Sequence, residues 1–173
     1  MDAPQYQDIA ANTIPTIETG QARVKVISGT FERKHGPATH VSGAPIYLDV
    51  KVHQMYGVFE YPVRQGDTVL LYVIAGALEI GTSEDVVPAG NMILTTLGDT
   101  VRVKAAGVAR GKSTNVAGLH ESNNTRASGD AHFLLMAGTP LGEPVAWHGP
   151  IVMNSEQEIQ EAYAELRSDT FIK

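Results

Sequence analysis

Short runs in which apolar and polar residues alternate, broken by Gly and Pro, dominate the chain from Arg23 onward. Arg23-Val24-Lys25-Val26-Ile27 and Ile46-Tyr47-Leu48-Asp49-Val50-Lys51-Val52 keep a two-residue beat, the period at which a strand turns one face to a core. Val58-Phe59-Glu60-Tyr61 stops at Pro62. Val69 to Ala75 is continuously apolar, as in a strand buried on both faces. Gly76 punctuates that run, and Ala77-Leu78-Glu79-Ile80 follows at once. Met92 to Leu97, Val101-Arg102-Val103-Lys104 and His132 to Ala137 complete the set. Many short strands at near-regular spacing predict an all-β sandwich or barrel.

The period changes once. Ile159, Ala162, Tyr163 and Leu166 fall at i, i+3, i+4 and i+7, and Ser155 with Glu158 has the spacing of a capping box. This predicts one C-terminal α-helix within 155–173, its stripe packed on the outside of the barrel, with a partner surface as the alternative. Residues 1–20 are polar, carry Pro4 and Pro15, and read as a linker-like segment. Between two strands, 106–130 is rich in Gly, Ser, Asn and Thr, which predicts a long flexible loop. The barrel proper is expected over 21–154.

Composition removes several classes of function. With 173 residues the chain can bury one real core, and a net charge of −6 argues against nucleic acid or an anionic membrane as partner. Zero Cys excludes a disulfide scaffold, a thiolate nucleophile and Cys-ligated metal. No apolar run has the length of a membrane span, and the first twenty residues lack the layout of a signal peptide. The expected setting is cytoplasmic.

Candidate motifs are thin. Gly107 to Ser113 has three residues between its glycines where a phosphate-binding loop needs four, and no apolar helix follows. Asn123-Asn124-Thr125 fits a glycosylation sequon without a secretory signal. No Gly-x-Ser-x-Gly elbow is present. The six histidines, His35, His40, His53, His120, His132 and His148, form neither His-x-His nor a helical i, i+4 pair. A metal site could assemble only in space, as from His53 and Glu60.

The run Leu134 to Asn154, LLMAGTPLGEPVAWHGPIVMN, resembles the C-terminal signature of the pirin family, and the helix opening at Ser155 continues it. Tyr6-Gln7-Asp8-Ile9 and Ile14-Pro15 resemble the pirin inter-domain linker. Val24-Lys25-Val26-Ile27-Ser28-Gly29 resembles the first strand of the second pirin domain. In the same signature Gly142-Glu143-Pro144 and His148-Gly149-Pro150 dictate turns, and Trp147 and Met153 read as core. The resemblance implies a cupin, a jelly-roll or double-stranded β-helix barrel, and specifically the second barrel of a bicupin. Iron or another divalent metal then belongs to the N-terminal barrel. Full-length relatives resemble quercetin dioxygenases, and the animal protein resembles a transcriptional co-regulator. Met1 opening directly onto linker-like residues fits a start inside a longer protein.

A metal-binding cupin carries His-x-His, a Glu, a turn Gly, and then Pro-x-Gly-x-x-His. Aligned on Gly76 and on Pro88-Ala89-Gly90, the four ligand positions fall on Pro62, Arg64, Val69 and Ile93. None is a ligand for iron, so no cofactor is expected in this chain. The reading is a scaffold or interaction half of a bicupin, not catalytic alone. The expected partner is the N-terminal barrel or, in its place, a second copy in a homodimer, unless the tail up to Pro15 folds back over the exposed surface. The alternative is a stand-alone cupin that binds or transforms a small molecule at the barrel mouth, with Tyr47, His53, Arg64, Tyr72 and His132 as pocket candidates.

Overall fold

In the segment Ala22–Ser28 the side chains of Ala22, Val24, Val26 and Ser28 are buried while Arg23 and Lys25 are exposed, so the alternation is a strand with one face on a core. The computed structural model describes residues 6–39, 41, 43–53, 56–83, 85–106 and 129–171. After a single 3-10 turn at Ala11–Thr13 come β1 (Thr16–Glu18), β2 (Ala22–Ser28), β3 (Thr30–Phe31), β4 (Lys34–His35), β5 (Ile46–Val52) and β6 (Val58–Pro62). Then follow β7 (Thr68–Ala75), β8 (Ala77–Ile80), β9 (Val86–Pro88), β10 (Met92–Leu94), β11 (Thr100–Ala105) and β12 (Ala131–Gly138). The chain closes with β13 (Ala146–His148), β14 (Ile151–Met153) and α1 (Glu156–Arg167).

Two antiparallel sheets form the main body. One has six strands in the order β1-β2-β5-β12-β7-β10, the other four in the order β6-β11-β8-β9. Val24, Leu48, Val50, Leu71, Val73, Phe133 and Leu135 of the first meet Phe59, Tyr61, Leu78, Val101 and Val103 of the second in one core. Each such side chain, fully buried, contributes about 1.5–3 kcal/mol. Phe133 sets its ring edge-on to Phe59 at 5.8 Å, and Phe31 stacks on Phe59 at 5.9 Å. The jelly-roll architecture is therefore that of the sequence reading, built as two facing sheets with open strand orders among the described residues.

Gly76 makes the β7–β8 turn at φ +74°, and a Cβ there would lie 2.3 Å from the Asp130 carbonyl oxygen. Only glycine meets both demands.

Three of the expected segments can be set beside the structure. The linker-like segment 1–20 contains β1, which pairs with β2 in register Ile17↔Val24, because Thr16-Ile17-Glu18 completes the sheet edge. Nearly all of the expected loop 106–130 lies outside the described residues. By its contacts the chain divides into two compact units, one ending at Pro140 and one running from Leu141, where the sequence reading set its boundary at 154.

In the second unit β13 and β14 form a hairpin over Gly149-Pro150, and Ile159 and Ala162 of α1 are buried with Ala146 and Ile151 of that hairpin. The helical stripe thus packs on its own hairpin, where the sequence reading set it against the barrel; Tyr163 is half-buried and Leu166 exposed. The capping box is present: Ser155 accepts from the Glu158 amide and the Glu158 carboxylate accepts from the Ser155 amide. Trp147, read as core, is exposed and donates its indole N–H to the Gly149 carbonyl at 2.7 Å.

Candidate functional site

Two places in the first unit bear on function: the interior where cupins hold metal, and the outward face of the six-stranded sheet.

At the interior site the strand pleat settles which side chains face inward. On β6 the buried residues are Phe59 and Tyr61, so Pro62 points outward, opposite Thr100 of β11. Arg64 is exposed in the turn before β7. Pro62 and Arg64 thus face away from the core, and the residues of this stretch that face it are Tyr61 and Val63, since a strand presents alternate residues. Val69 is buried, and Ile93, opposite Leu71, packs against the core. The Tyr61 hydroxyl donates to the Thr30 carbonyl at 2.7 Å, and burial pushes its pKa up. One spoken-for phenol and three aliphatic groups do not fit a transition metal. Nor does any group of three or more His, Asp or Glu converge on one point among the described residues.

The histidines are paired elsewhere. His53 lies 3.3 Å from Glu18, and Glu60 pairs with Arg102, so the candidate pair His53 and Glu60 is not brought together. His35 contacts the Thr30 hydroxyl at 2.9 Å, and His148 stands edge-on to Tyr163. His40 and His120 lie outside the described residues, as do the Gly107–Ser113 and Asn123–Thr125 motifs.

Beside Val69 sits a carboxylate that sequence reasoning passed over. The Asp67 side chain is 1% exposed; it accepts from the Thr139 hydroxyl at 2.8 Å and from the Arg64 guanidinium at 3.3 Å. The Thr139 bond, then the Arg64 bond and charge, hold its pKa below the ordinary carboxylate value against the opposing effect of burial. The sole hint in the sequence is Gly66-Asp67 opening a strand, which any turn could supply.

Tyr47, Tyr72 and His132, expected at a barrel mouth, lie instead on the outward face of the six-stranded sheet. Cross-strand register sets two rows there. One runs Lys25, Asp49, Leu134, Tyr72, Met92 across β2, β5, β12, β7 and β10; the other runs Tyr47, Met136, Leu70, Leu94 across the last four of those strands. His132 reaches diagonally to Asp49 at 2.8 Å, both being about four-fifths buried. At the sheet edge Met92 and Leu94 are 60% and 68% exposed. β7 is therefore buried on one face only, with Tyr72 and Ile74 open on the other, contrary to its continuous apolar sequence.

The comparisons with known proteins agree with this geometry. Residues 47–172 match the family described as the pirin C-terminal cupin domain. A pirin-like protein of Caulobacter vibrioides is 33% identical over 99% of this chain and 54% of its own length. Pirin of Rattus norvegicus is 33% identical over 97% of this chain and 51% of its own. A crystal structure of quercetin 2,3-dioxygenase from Acinetobacter baumannii superposes with a TM-score of 0.74 at 26% identity, covering 96% of this chain and 50% of that one. The chain spans about half the length of the curated relatives it matches. By its family match, its signature and its fold, the chain belongs to the pirin family as a C-terminal cupin domain.

Proposed function

We propose that this chain is the interaction half of a two-cupin assembly, holding no metal of its own and docking a cupin module on the outward face of its six-stranded sheet. The observation that carries the reading is β7, whose apolar sequence is that of a strand covered on both faces while only its inner face is covered. Leu70, Tyr72, Leu134, Met136, Met92 and Leu94 together make a continuous apolar field over three adjacent strands. Fields of that kind on a folded domain mark interaction surfaces. The occupant is a cupin module because the relatives carry a second half of about equal length. In the isolated chain a second copy takes that place, by the two-fold pairing that closed dimers favour.

Redox chemistry, in this reading, belongs to the other module; the Acinetobacter baumannii relative is named a quercetin 2,3-dioxygenase, and that name supplies the substrate class to test. No helix of the described residues is long and apolar enough to cross a membrane.

Elemental analysis and quercetin turnover test the functional half of the reading. The purified, untagged chain is expected to carry well under one transition metal per molecule and to leave quercetin unconsumed with added iron or manganese. About one metal per chain, or metal-dependent consumption above a heat-denatured control, overturns it.

A further inference from the structure

The chain has no cysteine and five methionines, so thioethers are its only sulfur groups. Of the three methionines among the described residues, Met136 and Met153 are half-buried and Met92 is exposed. For the two on the six-stranded sheet, the strand order explains the difference. Met136 lies on β12 between Tyr47 of β5 and Leu70 of β7, whereas β10 ends the sheet and Met92 has a cross-strand neighbour, Tyr72, on one side only. Ile93 packs against the core, so the pleat turns Met92 and Leu94 outward, onto the apolar field. We infer that Met92 is a modification site through which peroxide releases the docked module: its side chain is open in the free chain, and its oxidised form is unfit for an apolar interface. This inference rests on the docking reading and adds its regulation.

The step is a two-electron oxygen transfer. The Met92 sulfur gives a lone pair to one oxygen of hydrogen peroxide, the O–O bond breaks as an S–O bond forms, and the second oxygen leaves as water with both hydrogens. The thioether is oxidised to a sulfoxide and the peroxide is reduced. A flexible apolar side chain thereby becomes a polar hydrogen-bond acceptor. In the free chain water solvates the new oxygen, so the fold has nothing to lose. Under a docked module the same oxygen is stripped of water at the edge of a field made by Leu70, Leu94, Leu134 and Met136, and burying an unpaired acceptor is unfavourable. The converse also holds: a docked module covers Met92, so the residue reacts in the free chain and is shielded in the assembly.

Titration of the full chain with hydrogen peroxide, followed by sedimentation velocity and peptide mass mapping, tests it. The dissociation constant of the dimer is expected to rise at least about tenfold on oxidation, the effect of a buried unpaired oxygen on each copy. The rise follows the sulfoxide at Met92 and not those at the other four methionines. Initial rates of Met92 oxidation fall as the chain concentration is raised through the dimer equilibrium. Methionine sulfoxide reductase with a thiol reductant restores the dimer. Met92→Leu abolishes the difference between treated and untreated protein, while Met153→Leu, in the second unit, keeps it. If Met92→Leu fails to fold, the mass map of the parent chain decides, since loss of dimer must track the Met92 sulfoxide. Dimers that persist with Met92 fully oxidised, or whose loss follows another methionine, overturn this inference and leave the docking face standing. An untreated chain that is monomeric throughout overturns both.

Discussion

Thr139 donates a 2.8 Å hydrogen bond to Asp67, tying the residue before β7 to the one after β12 across 72 positions of sequence. Because the bond holds the Asp67 pKa below its unfolded value, the charged form adds stability above the ordinary carboxylate pKa near 3.9. That contribution is lost as pH falls through the lowered folded value. Thr139→Val is therefore expected to lower the urea midpoint at pH 7 and to flatten its fall below about pH 5. Unfolding curves between pH 3 and 7 check this; parallel profiles for the two proteins would remove Asp67 from the account.

Gly76→Ala is expected to be among the most damaging single-methyl additions. Its φ of +74° alone costs a non-glycine residue about 1–3 kcal/mol, and the Asp130 carbonyl stands where the methyl would go. The expected result is a loss at or above that range in chemical denaturation, against a smaller loss for Gly43→Ser, where φ is +78° and carries the same backbone cost but nothing lies within 4 Å of the added Cβ.

Ser155→Ala removes the acceptor for the Glu158 amide at the start of α1. A loss of about 1 kcal/mol is expected. It should be confined to the unit from Leu141 onward, and hydrogen exchange is the suitable readout: amides of Ile159 to Tyr163 speed up while those of Leu48 and Leu135 do not.

The legibility of the sequence follows its periodicity. The two-residue beat of Arg23–Ile27 and Ile46–Val52 reports β2 and β5 and their faces directly, and 155–158 announces the helix cap. The β3–β4 hairpin escaped because its loop, Glu32-Arg33, takes positive φ with neither Gly nor Asn to signal it. β1 escaped because three residues at a sheet edge carry too little pattern. At the site, motif spacing counts residues but not the pleat, so it chose Pro62 and Arg64 where Tyr61 and Val63 face inward. Asp67 was invisible because its partner Thr139 is remote in sequence. The exposed side of β7 was misread for the reason that makes it informative: an apolar run looks the same whether its second face is covered by its own chain or by another.

That second face gives the most direct measurement. Sedimentation velocity of the chain from low to high micromolar concentration is expected to show a monomer–dimer equilibrium, and Met92→Glu with Leu94→Glu to shift it wholly to monomer without changing the circular dichroism spectrum. A strict monomer at high micromolar concentration, unchanged when the tail up to Pro15 is removed, would contradict the account.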